Sequence, residues 1–89
     1  MGSVQVIVSG EVHGVFFRQS TKELAQKLGL VGWVKNTADG TVEIMAGGEK
    51  NKLDQLIAWC RKGPPFAKVE KVKVEWKKNL EDFEDFSIY

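Results

Sequence analysis

Two hydrophobic periods follow one another within the first third of the chain, and their order constrains the fold more than any single residue does. Val4-Gln5-Val6-Ile7-Val8 alternates with a period of two: Val4, Val6 and Val8 share one face, and Gln5, Ile7 and Ser9 share the other. That is the pattern of a half-buried strand. After a short segment containing Gly10 and Gly14, the period changes. Phe17, Thr21, Leu24, Ala25 and Leu28 form a stripe at helical spacing. Two helix starts compete. Ser20-Thr21-Lys22-Glu23 is a capping box that would place the N-cap at Ser20. Burying Phe17 is worth about 2–3 kcal/mol against about 1 kcal/mol for a cap, so the earlier start is preferred. Gly29 stands where a left-handed C-terminal residue is expected.

The same alternation of periods runs on. Residues 30–35 read as a second strand and 41–46 as a third, with Val42, Ile44 and Ala46 on one face. Asp39-Gly40 is a turn signal, so the two form a hairpin connected by residues 36–40 and ended by Gly47-Gly48. Leu53, Leu56, Ile57 and Cys60 follow i, i+3, i+4, i+7 spacing, and Gly63-Pro64-Pro65 terminates that helix. Val72, Val74 and Trp76 alternate with charged residues in a fourth strand. Residues 79–85 are a polar connection, and Phe86 and Ile88 suit a short final strand.

The order β-α-β-β-α-β is the split βαβ arrangement, an α+β fold. It predicts two helices packed on one face of a four-stranded antiparallel sheet. Right-handed crossovers place the first and third strands side by side at its centre. The expected organisation is one domain over residues 1–89.

Composition narrows the function classes. The 89 residues carry a formal net charge of +1, so general attraction to nucleic acid or anionic membrane is weak and any anion affinity must be local. With 43% hydrophobic and 28% charged residues the chain reads as a globular protein rather than a disordered one. Nothing approaches the ~20 apolar residues that span a bilayer. One cysteine, Cys60, rules out an intramolecular disulfide. The expectation is a cytoplasmic monomer with no nucleic-acid or membrane partner.

The segment Gly10-Glu11-Val12-His13-Gly14-Val15-Phe16-Phe17-Arg18 carries the chemistry. Successive N–H groups in a glycine-punctuated turn can converge on an anion, a helix N-terminus adds partial positive charge, and Arg18 adds a full one. The spacing is neither the dinucleotide fingerprint nor the P-loop. A planar fork suits a phosphoryl or carboxylate group, although a surface arginine more often pairs with a carboxylate side chain. Gly10 and Gly14 serve backbone conformation or close approach to a ligand. Asn36 follows Trp33-Val34-Lys35 at a strand end. On spacing alone it is a turn asparagine; the alternative is an amide that orients water. His13 reads as an exposed loop histidine rather than a general base. Cys60, on an apolar stripe, reads as a core thiol. No cluster shows metal-ligand spacing.

Together, the Gly10–Arg18 segment, Gly29-Leu30-Val31-Gly32-Trp33-Val34-Lys35-Asn36 and Asp39-Gly40-Thr41-Val42-Glu43 resemble the acylphosphatase family. Gly63-Pro64-Pro65 and the Phe86-Ser87-Ile88 ending are also like that family. The resemblance covers nearly the whole chain. It implies a ferredoxin-like sandwich and hydrolysis of a carboxyl–phosphate anhydride to a carboxylate and inorganic phosphate. It further implies that Arg18 binds phosphoryl oxygens and that Asn36 holds the attacking water. The backbone N–H groups of Val12, His13, Gly14, Val15, Phe16 and Phe17 would form the phosphate cradle. Family enzymes use no metal or other cofactor and form no phosphoenzyme. One departure is His13, where the family usually has glutamine; the backbone N–H is kept.

Two rivals remain at this stage. The first is a non-catalytic anion-binding or regulatory module, since acylphosphatase-like domains also occur within larger hydrogenase-maturation proteins; the expectation here is a free-standing enzyme. The ferredoxin-like fold also hosts RNA binding. That role asks for aromatics on the open sheet face and a basic surface, whereas Gln5, Ile7, Ser9, Thr41, Glu43 and Met45 include no aromatic.

Overall fold

The computed structural model describes residues 2–77 and 83–89. Its elements are β1 (Gly2–Glu11), α1 (Phe17–Lys27), β2 (Val31–Asn36), β3 (Val42–Gly48), α2 (Lys50–Cys60), β4 (Lys68–Lys77) and β5 (Phe86–Ile88).

Register explains why the period-two faces coincide. Val4, Val6 and Val8 pair with Ala46, Ile44 and Val42, so two alternating strands present their apolar sides together. Val34 of β2 pairs with Ile44 and joins that layer. All seven side chains are buried. α1 lies over β2 and β5, and α2 over β1 and β3. Phe17, Thr21 and Ala25 face the core from α1; Leu53, Leu56, Ile57 and Cys60 do so from α2. The Phe17 and Trp59 rings, 5.2 Å apart, join the two helices. Trp76 is 45% exposed, with the Lys50 ammonium over its ring. None of the described helices is long and apolar enough to cross a membrane.

The sheet corrects the expected four antiparallel strands. Among the described residues it has five, in the order β4-β1-β3-β2-β5, and it is mixed because β5 runs parallel to β2. Gly32, Trp33 and Val34 pair with Phe86, Ser87 and Ile88. The reason lies in Phe86: it is 2% exposed, and pairing β5 against the free edge of β2 carries its ring beneath α1. β1 and β3 remain neighbours within the sheet, as expected.

Local boundaries follow from chain chemistry. α1 begins at Phe17, and the capping box at Ser20 is not used as an N-cap. Its end is a Schellman closure: the Gly29 N–H donates to the Gln26 carbonyl at 3.1 Å and the Leu30 N–H to the Ala25 carbonyl at 2.9 Å. β3 runs through Gly47 and ends at Gly48, two residues beyond the expected Ala46. Both glycines stay paired with Ser3 and Gly2 of β1, because that neighbour continues beside them. The β2–β3 turn is closed by the Asp39 carboxylate, which accepts from the Thr37 and Thr41 hydroxyls and the Thr41 N–H. These bonds hold the Asp39 carboxyl below the usual carboxylate range. The expected polar connection over 79–85 lies mostly outside the described residues.

Candidate active site

The loop between β1 and α1 is held at both ends by the core. Val12 and Phe17 are each 1% exposed, whereas His13, Gly14 and Phe16 between them face solvent. Gly10 sets the loop's departure. The β1–β4 register shifts between Ser9 and Gly10, and Gly10 has φ 125°. A Cβ there would lie 2.1 Å from the Lys68 carbonyl oxygen, so the two backbones meet at a distance only glycine permits.

Within the loop, Gly14 has φ 71° and Phe16 has φ 64°; Val15 between them is not in the positive region. Alternating backbone handedness of this kind turns successive N–H groups toward one point. Phe16 is the N-cap of α1, and its carbonyl accepts the Ser20 N–H at 3.0 Å. No side chain caps that helix end and its first turn has no acidic residue, so the positive end is left open for an anion. Phe16 is the one non-glycine with positive φ among the described residues, a conformation that costs roughly 1–2 kcal/mol.

Arg18 follows in the first turn of α1. No carboxylate side chain among the described residues pairs with it. Its Nη1 instead donates to the main-chain oxygen of Tyr89 at 3.2 Å. Tyr89 is itself placed by its N–H, which donates to the Val34 carbonyl at 2.9 Å. One donor of the guanidinium is thus used for orientation and four remain.

Asn36 ends β2, two residues beyond Val34 on the helix-covered side of the sheet. Its Oδ1 is buried without a hydrogen-bond partner, and it is the one such side-chain atom among the described residues. A turn asparagine would bond its own backbone, so the structure does not support that reading. An unpartnered buried acceptor costs about 1–3 kcal/mol, which marks a group kept for something that binds.

These features share a cavity of about 290 Å³. The loop contributes Val12, Gly14 and Phe16, α1 contributes Phe17, Arg18 and Gln19, β2 contributes Asn36 and β5 contributes Ile88. A larger groove of about 750 Å³ runs past Leu24, Trp59 and Pro64, but it contains no residue of the loop, neither Arg18 nor Asn36. Gly10, His13 and Val15 do not line the smaller cavity. The His13 Nε2 donates to the Thr41 carbonyl at 2.7 Å, tying the loop to the start of β3. Cys60 is buried in the core, as expected.

Three parts of the site were missed from the sequence: Ile88 in its wall, Tyr89 as the partner of Arg18, and the left-handed backbone of Phe16. The first two depend on the parallel pairing of β5, which no local pattern announces. The third had a weak signal, a helix stripe starting at Phe17 with no capping side chain before it.

Comparison with known proteins agrees with this architecture. The acylphosphatase family model matches residues 4–88. An acylphosphatase of Rubrobacter xylanophilus is 56% identical over 72 residues, spanning 81% of this chain and 66% of that protein. One from Acaryochloris marina is 49% identical over 85 residues, spanning 96% of this chain and 90% of its own. The crystal structure of acylphosphatase from Bacillus subtilis superposes with a TM-score of 0.97 at 42% identity, covering 100% of this chain and 99% of that one. With the loop, the arginine and the strand-end asparagine on one fold of this kind, the chain belongs to the acylphosphatase family.

Proposed function

We propose that this chain hydrolyses acyl phosphates to a carboxylate and inorganic phosphate at the cavity between the β1–α1 loop and the end of β2. The observation that carries this reading is the buried, unpartnered Asn36 Oδ1 lining the same cavity as Arg18 and the open N-terminus of α1. The N–H groups of Val12, His13, Gly14, Val15, Phe16 and Phe17, together with the guanidinium, hold the phosphoryl oxygens. The Asn36 Oδ1 accepts a hydrogen bond from a water and aims its lone pair at phosphorus. An amide cannot take the proton, so a phosphoryl oxygen of the substrate receives it. The new P–O bond forms as the bond to the acyl oxygen breaks, and the electron pair leaves on the carboxylate. That leaving group needs no protonation, so charge neutralisation and water placement suffice for catalysis.

The same reading takes the chain to be a single-domain cytoplasmic monomer that acts without a metal and has no nucleic-acid or membrane partner. Low net charge and one buried cysteine support it. The test compares benzoyl phosphate with p-nitrophenyl phosphate, both with chelator present. Fast chelator-resistant cleavage of the first alone is the expected result. Preference for the monoester, or loss of activity with chelator, overturns it.

A further inference from the structure

Phe16 is 73% exposed and holds a left-handed backbone that glycine would adopt without strain. Its ring adds nothing visible to the fold. It is outside the core, and the described ring contacts join Phe17 to Trp59 and Trp33 to Tyr89 instead. Yet Phe16 lines the cavity that contains Arg18 and Asn36, where it is accompanied by apolar Val12 and Ile88. The cavity therefore joins one cation and two amides, Asn36 and Gln19, to an apolar surface that a phosphoryl head does not need. A large aromatic at a strained, exposed position beside a polar site is placed to meet the part of a ligand that the phosphoryl head leaves outside the cradle.

We infer that the Phe16 side chain packs against the acyl group and sets a preference for large apolar acyl phosphates, aromatic ones above all, over acetyl phosphate. This rests on the acyl phosphate reading of the site. Phe16 is here a specificity residue: its ring meets the leaving group, whereas its N–H belongs to the phosphate cradle. Offset or edge contact between two rings adds to the area they bury, and the gain appears in kcat/KM because the carboxylate is still in contact with the ring as it departs.

The experiment measures kcat/KM for benzoyl phosphate and acetyl phosphate on the wild-type protein, Phe16→Ala and Phe16→Tyr. The ratio of the two constants is expected to fall about three- to tenfold in Phe16→Ala and to stay within about twofold of wild type in Phe16→Tyr. An unchanged ratio in Phe16→Ala overturns the inference. So does an equal fall in Phe16→Tyr, which keeps the ring and would then report a disturbed loop. Wild-type protein that cleaves neither acyl phosphate overturns the underlying reading, whereas cleavage of both with a ratio indifferent to Phe16 overturns this inference alone.

Discussion

Arg18 and Tyr89 stand 71 positions apart in sequence and meet through one hydrogen bond, from the Arg18 Nη1 to the Tyr89 main-chain oxygen at 3.2 Å. An arginine side chain loses on the order of 2 kcal/mol of rotamer freedom when fixed. Tyr89, anchored on Val34, offsets part of that cost before any ligand arrives. A chain ending at Ile88 is therefore expected to bind inorganic phosphate several-fold more weakly and to turn over more slowly, with an unchanged far-ultraviolet circular dichroism spectrum. Inhibition by phosphate in the two chains checks this; equal inhibition constants would remove Tyr89 from the site.

Arg18→Lys should be nearly as damaging as Arg18→Ala. An ammonium is a point charge on a flexible stem and cannot serve Tyr89 and two phosphoryl oxygens in one plane. The expected loss in kcat/KM is about 10²-fold or more, with both phosphate affinity and turnover reduced. A lysine variant within a few-fold of wild type would show that charge alone matters.

Asn36 gives the opposite signature. The Asn36 Oδ1 adds no hydrogen bond within the described protein, so Asn36→Ala should have an unfolding midpoint close to or above that of wild type. Its kcat should fall about 10²–10³-fold while inhibition by inorganic phosphate changes little. A destabilised but active variant would make Asn36 a structural residue and end the water-positioning role.

The contrast between Asn36 and Tyr89 shows what a sequence can disclose. The hairpin signal Asp39-Gly40 put Asn36 at a strand end, but spacing alone reads it as a turn asparagine, and its water-holding role came only from the family resemblance. The loop was legible because glycines and an arginine mark a strand-to-helix junction. The helices and the central pairing of β1 with β3 followed from apolar periodicity, since register is set wherever one face must be buried. β5 was not legible in the same way. Three residues carry too little pattern to choose between antiparallel and parallel pairing, and only the burial of Phe86 beneath α1 decides it. Everything that depends on β5 was hidden with it, including the partner of Arg18.

Gly10 is expected to be a folding residue before it is a catalytic one. In Gly10→Ala the new Cβ meets the Lys68 carbonyl and the Glu70 N–H, both backbone atoms that cannot turn aside. Separating β1 from β4 at this point should cost about 2–4 kcal/mol, a fall of roughly 10–20 °C in Tm for a domain of this size. Thermal unfolding checks it. A midpoint within about 2 °C of wild type would mean that the strands part there easily.

Cys60 supplies the pH prediction. Burial pushes its thiol up to about 12, and the neighbouring Arg61 charge offsets this only in part. The native protein should therefore be inert to thiol reagents at pH 8 and react once unfolded in urea, since the thiolate is the nucleophile. Linkage gives the sign of the stability effect. In the unfolded chain the thiol loses its proton near pH 8.5, whereas the folded chain keeps it, so the native state binds more protons between that value and about 12. Stability is full below the unfolded value and is lost as pH rises through this window, by at most about 1.4 kcal/mol per pH unit. Denaturant unfolding at pH 8 and pH 10 should show a loss for wild type that Cys60→Ala lacks. Equal losses in the two proteins would assign the alkaline slope to other groups.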